Sequence, residues 1–345
     1  MKTTVYLIRH GEAEGNAFRR FHGQYDSLLT PNGHLQVEAL RRRFENVQID
    51  ACYASDLTRT SLTARSIYVP KNLPLHRDKA FREVFVGRWE DFPFGHIETH
   101  EPEGMRMFNH EPVGWYLEGA ETYFQYTGRF ITAMNKAVAD NEGGTIAIFC
   151  HGCVMRGVLA RLFYKDDFSS MPYCDNTAVC KLFWEDGKYS YEYLNDATHL
   201  TPEISTFARQ KWWRTGGKDF NLWFMPMEEL PEGLAQPEDS WENYIAMLTH
   251  TPVGILSLAG NRIMGMHLLP EYKGCLMEDQ LLGQAVSRCR QQGLDYVETE
   301  PSCIDDPDVL KRYGFAACAD GLWRLDIDRS RLDWSTPPQD RPARF

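Results

Sequence analysis

Several common signposts are missing from these 345 residues. No apolar run is long enough to cross a bilayer, so a membrane-spanning helix is not expected. Met1-Lys2-Thr3-Thr4-Val5 enters a strand pattern directly and has no signal-peptide design. The nine cysteines are an odd number and fit reduced thiols in a cytoplasmic protein better than a disulfide framework. A formal charge of −11 with no compensating basic run excludes a generic nucleic-acid binder, so any positive pocket must be local. There is no serine nucleophile elbow and no phosphate-cradling Gly-Lys-Ser/Thr loop. Cys150-His151-Gly152-Cys153 contains a C-x-x-C but lacks partner ligands at a second zinc spacing. His96, His100 and His110 match no metal-site spacing and read as exposed loop histidines, so no metal site is expected.

What is present reads as a soluble globular chain, 43% hydrophobic and 25% charged, long enough for two domains. Val5-Tyr6-Leu7-Ile8 reads as a buried strand leading into Arg9-His10-Gly11-Glu12-Ala13-Glu14-Gly15-Asn16. Arg9 offers a fork of donors suited to phosphate oxygens, His10 is nucleophilic near neutral pH, and Gly11 lets the backbone approach a ligand. Thr30-Pro31 starts a helix whose Leu35, Ala39, Leu40 and Phe44 recur at helical spacing, with Arg41, Arg42 and Arg43 on a solvated face. Ile49–Ala54 is a second strand, after which Ser55-Asp56-Leu57-Thr58-Arg59-Thr60 opens a helix. Arg59 opposes the helix dipole there, and the same placement suits anion binding.

Residues 81 to 125 read as a long irregular connection, a lid or binding loop, in which Arg82-Glu83-Val84 and Gly87-Arg88-Trp89-Glu90 stand out. A helix carrying Phe130, Met134 and Val138 precedes Thr145–Cys150, whose nearly all-apolar pattern is that of a central parallel strand. His151-Gly152 ends that strand and starts another helix. Three strands therefore end in anion-compatible groups, and in open α/β sheets ligands bind outside the carboxyl ends of the strands.

The set Arg9-His10-Gly11, Asn16, Arg59, Glu83 and His151-Gly152 resembles the histidine phosphatase superfamily, the branch shared with phosphoglycerate mutases. Gly23-Gln24-Tyr25-Asp26 with Leu29-Thr30, Ser55-Asp56-Leu57, Gly119-Ala120-Glu121, and Asn195-Asp196 with His199-Leu200 support it over residues 3 to 200. The resemblance implies a three-layer α/β/α sandwich with a mostly parallel sheet. It also implies a metal- and cofactor-independent transfer of the phosphoryl group of a small metabolite, to water in a phosphatase or to a second acceptor in a mutase. His10 would carry the phosphoryl group as phosphohistidine, and Arg9, Asn16, Arg59, Gly152 and a cationic His151 would hold its oxygens. Glu83 would act as acid and then base. Arg88, Arg106, Arg129 and Lys136 are the basic residues between Glu83 and the His151 strand, a small supply that favours hydrolysis over the mutase outcome. Arg19 and Arg20 read as surface charges, and Glu12 and Glu14 gain no role.

Beyond a joint at 206–219, containing Trp212-Trp213-Arg214-Thr215-Gly216-Gly217, the order of elements changes. Residues 220–330 read as a strand, a helix over Trp241–Leu248, strands at Val253–Leu258 and Arg262–Leu268, and a helix over Met277–Gln292. Strands at Tyr296–Thr299 and Leu322–Ile327 follow, and 331–345 is a tail. Val253-Gly254-Ile255, Leu268 to Gly274 and Lys311-Arg312-Tyr313-Gly314-Phe315 resemble the GNAT acyl-CoA transferases, a smaller α+β fold. Acetyl-CoA would then sit at Gly274. Leu276 and Glu278, however, stand where further glycines are expected, and Leu310 stands where a general-acid tyrosine is expected. A module kept for binding or packing is the expectation, with an acetyltransferase as the alternative. The first domain is expected over 1–205. No nucleic-acid or membrane partner is expected, and a homodimer is compatible with the sequence.

Overall fold

The structure, a computed structural model, describes residues 1–168, 171–210, 220–234 and 236–328. Residues 211–219, which hold the tryptophans of the joint, and the 331–345 tail lie outside the described residues.

The first unit is built on a six-stranded sheet of order β3-β2-β4-β1-β5-β6. Its strands are β1 (Thr3–Arg9), β2 (Ala51–Ala54), β3 (Leu75–Arg77), β4 (Thr145–Cys150), β5 (Val179–Glu185) and β6 (Lys188–Asp196). β1 to β4 run parallel, while β5 and β6 add an antiparallel edge. Side chains alternate across a strand, so the apolar run of β1 serves two cores. Val5 and Leu7 join Ile146, Ile148, Phe130 and Val158 on one face. Tyr6 and Ile8 join Ala147, Phe149, Leu40, Phe44 and Ile67 on the other. Helices α2 (Pro31–Arg43) and α3 (Thr58–Tyr68) cover the second face, and α6 (Tyr123–Ala139) and α7 (Gly152–Phe163) cover the first. Three layers result. Thr30 caps α2 by accepting from Gly33 N–H.

Several local readings need correction. Leu35 is exposed, and α2 instead buries Gln36 with Leu40, because Gln36 bonds the Glu12 N–H, the Ile204 carbonyl and Thr206. Arg43 is not solvated: it donates to Asp196 and Tyr193 and to His199 Nδ1. The 81–125 stretch is not irregular throughout, since α4 (Phe94–His100) and α5 (Pro102–His110) lie within it. His96, His100 and His110 therefore sit on helices, with the His96 and His100 rings stacked 4.3 Å apart and both against Trp223. Among the described residues no group of His, Cys, Asp or Glu could hold a metal ion, and no helix is long and apolar enough to cross a membrane.

The second unit is a seven-stranded sheet of order β12-β13-β11-β10-β9-β8-β7. It comprises β7 (Leu222–Pro226), β8 (Glu242–Leu248), β9 (Thr251–Ala259), β10 (Arg262–Leu268), β11 (Tyr296–Thr299), β12 (Ala316–Ala317) and β13 (Trp323–Asp326). β10 and β11 pair in parallel and the other pairs are antiparallel. The expected helix over Trp241–Leu248 is thus a strand. Its Glu, Ala, Met and Leu favour a helix, but β7 and β9 pair along both of its edges, and tertiary pairing overrides propensity. Helix α9 (Met277–Gln291) lays Leu281, Leu282 and Ala285 on Leu256, Leu258 and Ile263. Ala17 and Phe18 of the first unit belong to this same core. The short helices α1 (Glu14–Ala17), α8 (Thr206–Arg209) and α10 (Asp308–Arg312) complete the fold among the described residues. α4 and β7 also meet closely, since a Cβ on Gly95 would fall 2.2 Å from the Asn221 carbonyl oxygen.

Candidate active site

Register decides which side chains meet. Arg9 at the end of β1 lies opposite Cys150 at the end of β4, so His10 and His151 emerge side by side. Their ring centroids are 5.1 Å apart with planes at 61°. β2 pairs with β4 through Ala54 and Phe149, which brings the first turn of α3, and Arg59, to the same edge.

The tautomer of His10 follows from its neighbour. Nδ1 lies 2.7 Å from the Gly11 carbonyl oxygen, which can only accept, so Nδ1 carries the proton and Nε2 keeps its lone pair. Thr63 accepts from Gly11 N–H at 2.9 Å and donates to the Arg59 carbonyl at 2.7 Å, tying the turn to α3. Burial, then Arg59, then Arg9, hold His10 well below the ordinary imidazole range. His151 is lowered well below that range too, by burial, Arg59 and His10. Burial and the neighbouring guanidiniums thus oppose a charge on His151 in the absence of a bound anion.

Arg9 donates through Nη1 to the Cys174 carbonyl at 2.6 Å. Its Nε and both His151 ring nitrogens are buried with no hydrogen-bond partner among the described residues. Orphaned buried donors are costly unless a ligand completes them. A Cβ on Gly152 would stand 3.1 Å from Arg9 Nε, so the glycine lets guanidinium and helix start come together. Arg59, 1% exposed, is pinned by three carbonyls: Tyr25 at 2.9 Å, His22 at 3.1 Å and Gly23 at 2.7 Å. Asn16 Oδ1 accepts from Ala13 N–H and from Asn176 Nδ2, which leaves its own NH₂ as the end for an acceptor.

Glu83 sits at the start of α7. Its Oε1 accepts from Val84 N–H at 2.9 Å and Val154 N–H at 2.7 Å, and its Oε2 accepts from Cys153 N–H at 2.8 Å. Oε2 thus retains a lone pair. Burial pushes the Cys150 and Cys153 thiols up, which keeps them protonated and chemically quiet.

Arg9, His10, Asn16, Arg59, Glu83 and Gly152 line one cavity of about 330 Å³, while His151 is fully buried next to the His10 ring and is not among the lining residues. The far wall comes from α4 and α5 through Phe94, Glu98, Met105, Phe108 and Asn109.

Other expectations change. Arg20 is 5% exposed and Arg19 lines the cavity, so neither is a surface charge. Glu12 accepts from Thr30, Asn32 and Thr206, and Glu14 pairs with Arg290, so both carboxylates serve the scaffold. Sequence reasoning missed Asn176, which donates to the His10 carbonyl and to Asn16. A polar cluster just before β5 was its only signal. It also gave no role to Glu90, whose two oxygens receive Gln24 and Tyr25 N–H and so shape the loop that holds Arg59.

Residues 5–197 match the histidine phosphatase superfamily, branch 1. The chain belongs to this superfamily. Its relatives include phosphoserine phosphatase 1 of Hydrogenobacter thermophilus, 26% identical over 57% of this chain and 93% of that protein. A probable phosphoglycerate mutase GpmB of Serratia proteamaculans is 28% identical, over 59% of this chain and 99% of its own length. Among solved structures, Bacillus stearothermophilus YhfR superposes with a TM-score of 0.54 at 29% identity, over 58% of this chain and all of that one. The superfamily match ends before β7 begins at Leu222, so the second sheet stands outside it.

Proposed function

We propose that this chain is a metal-independent phosphatase that hydrolyses a small phosphorylated metabolite through a phosphohistidine on His10. The observation that carries the reading is the His10 tautomer: an Nε2 lone pair facing a cavity bounded by Arg9 and Arg59. In the first step Nε2 attacks phosphorus, the bond to the leaving oxygen breaks, and Glu83 Oε2 delivers the proton that oxygen takes. In the second, Glu83 removes a proton from water, whose oxygen attacks phosphorus, and phosphate leaves with His10 restored. Arg9, Arg59 and the Asn16 amide neutralise the equatorial oxygens, and His151 takes up charge once the dianion is seated.

Hydrolysis is favoured over transfer to a second acidic acceptor by the state of the cations in the 81–140 region. Arg88 pairs with Glu101, Arg106 with Glu103 and Glu111, Arg129 with Glu121, and Lys136 with Asp140. The names of relatives span both phosphatases and mutases. The decisive assay is turnover of an aryl phosphate in excess chelator. His10→Ala is expected to abolish it to at least about a thousandfold below the parent; equal rates would remove the nucleophile assignment.

For the second unit, the GNAT-like reading is kept as a packing module without acetyl-CoA chemistry. Gly274 N–H, at the turn where a pyrophosphate would sit, donates to Glu278 Oε1 at 2.8 Å, and a carboxylate there repels a second anion. Micromolar acetyl-CoA binding to the full chain would overturn this reading.

A further inference from the structure

Among the described residues the cavity takes no lining residue from beyond Gln210, yet the loop carrying its anion-binding groups is held from the second unit at three points. Arg290 on α9 grips Glu14 through both guanidinium ends, Nη1 to Oε2 at 2.6 Å and Nη2 to Oε1 at 2.8 Å, with both side chains under 10% exposed. Glu14 is the first residue of α1, whose third is Asn16. Arg290 also bonds the Tyr25 side chain, and the Tyr25 carbonyl holds Arg59.

One turn away on α9, Ser287 donates to Asp91 Oδ2 at 2.5 Å and accepts from Arg20 Nη2 at 3.0 Å, while Gln284 accepts from Arg20 Nη1 at 3.0 Å. Asp91 Oδ1 in turn receives Arg20 Nε at 2.9 Å and meets His22 Nε2 at 3.0 Å. The carbonyls of His22 and Gly23 are the other two that pin Arg59. Between these points Phe18 lies on Gly283, where a Cβ would come 2.4 Å from the Phe18 Cβ, and its ring sits 5.0 Å from that of Tyr313. Arg290 is thus two bonded contacts from Arg59, through Tyr25, and Ser287 is three, through Asp91 and His22.

We propose that α9 is a clamp on the anion-binding loop, and that Arg290 and Ser287 are positioning residues for phosphoryl binding by Arg59 and Asn16. The proposal rests on the phosphohistidine reading only for its catalytic consequence; its binding consequence stands alone. A loop released by about 1 Å is expected to cost on the order of a hundredfold in rate, because charge neutralisation depends on placement. The polar partners are 190 or more residues away along the chain, so a first unit lacking α9 has no local substitute for them.

The test uses the full chain, with Arg290→Ala, Arg290→Lys, Ser287→Ala and, as a control, Arg288→Ala, whose guanidinium pairs with Glu242 inside the second unit. Inorganic phosphate binding is measured by calorimetry, and kcat/KM for an aryl phosphate across pH, both well below each variant's melting temperature. Rates are normalised to the burst amplitude of phosphoenzyme. The clamp predicts phosphate affinity down at least tenfold in Arg290→Ala, partial recovery in Arg290→Lys, a smaller loss in Ser287→Ala and parental behaviour in Arg288→Ala. It also predicts that the acid limb of kcat/KM moves up in pH in Arg290→Ala. His10 is faced by Arg9, Arg59, His22 and His151, and a displaced Arg59 depresses it less. A variant with lowered melting temperature but unchanged phosphate affinity and an unchanged limb would show a structural contact only and overturn the proposal. A parent that binds phosphate in the predicted order of variants yet forms no phosphoenzyme would sink the hydrolase reading and leave the clamp standing.

Discussion

Two helix starts in this molecule each hold a glutamate, and they do opposite things with it. At α7 the carboxylate arrives from Glu83, some 70 residues earlier in the chain, and takes Cys153 and Val154 N–H. Arg9 and Arg59 line the same cavity as Glu83. At α9 the carboxylate is Glu278, four residues after the Gly274 N–H it accepts. The nearby cations are committed elsewhere, Lys273 to Asp305 and Arg312 to Asp279. Leu276 caps this helix in the left-handed region at φ 59°, a conformation that costs a non-glycine residue about 1–2 kcal/mol. The α7 start thus takes its carboxylate from a distant segment beside two cations of the cavity, whereas the α9 start is filled by its own first turn.

That contrast can be broken at several points. The largest effect is expected from Glu83→Gln, which removes the proton carrier while keeping the side chain's shape. kcat should fall by about 10²–10⁴, most steeply for poor leaving groups. Equal slowing across a leaving-group series would deny Glu83 its acid role. Next comes Gly152→Ala, which adds a methyl 3.1 Å from Arg9 Nε and should lower kcat/KM by roughly tenfold with little change in melting temperature. An unaffected kcat/KM would mean that Arg9 is not held tightly at the helix start.

The pH dependence should be small but diagnostic. His10 is depressed in the folded protein, so it stays neutral and nucleophilic as pH falls through about 6.5, the free imidazole value. Activity is lost only when pH drops through the lowered value. After correction for the second phosphate ionisation near pH 6, kcat/KM should stay flat across the ordinary imidazole range. A limb centred at about 6.5 would mean that the guanidiniums and burial do not act on His10 as described. The smallest effect belongs to Glu278→Gln: unchanged phosphatase turnover and a loss of about 1 kcal/mol in denaturant unfolding.

Much of the first unit was legible because the signals were local. Val5–Ile8 and Thr145–Cys150 are apolar in both alternating sets, which is what a strand buried on two faces requires, and their polar ends then had one place to meet. Arg59 was legible as a cation in the wrong end of a helix dipole. Arg20 was not, because its partners Gln284 and Ser287 lie more than 260 residues away. Asn176 failed for the same reason, being defined by His10 and Asn16 across the sheet. The short helices α4 and α5 carry too few turns for periodicity to rise above their Gly, Pro and His content. β8 was misread because Glu, Ala, Met and Leu speak for a helix until two flanking strands are known.

The central claim is that the phosphoryl group passes through His10. Rapid quenching of the enzyme with a ³²P-labelled aryl phosphate tests it most directly. The account predicts one acid-labile, base-stable label per active chain, on the peptide containing His10 and absent from His10→Ala. An acid-stable label, or a label that persists in His10→Ala, would contradict it.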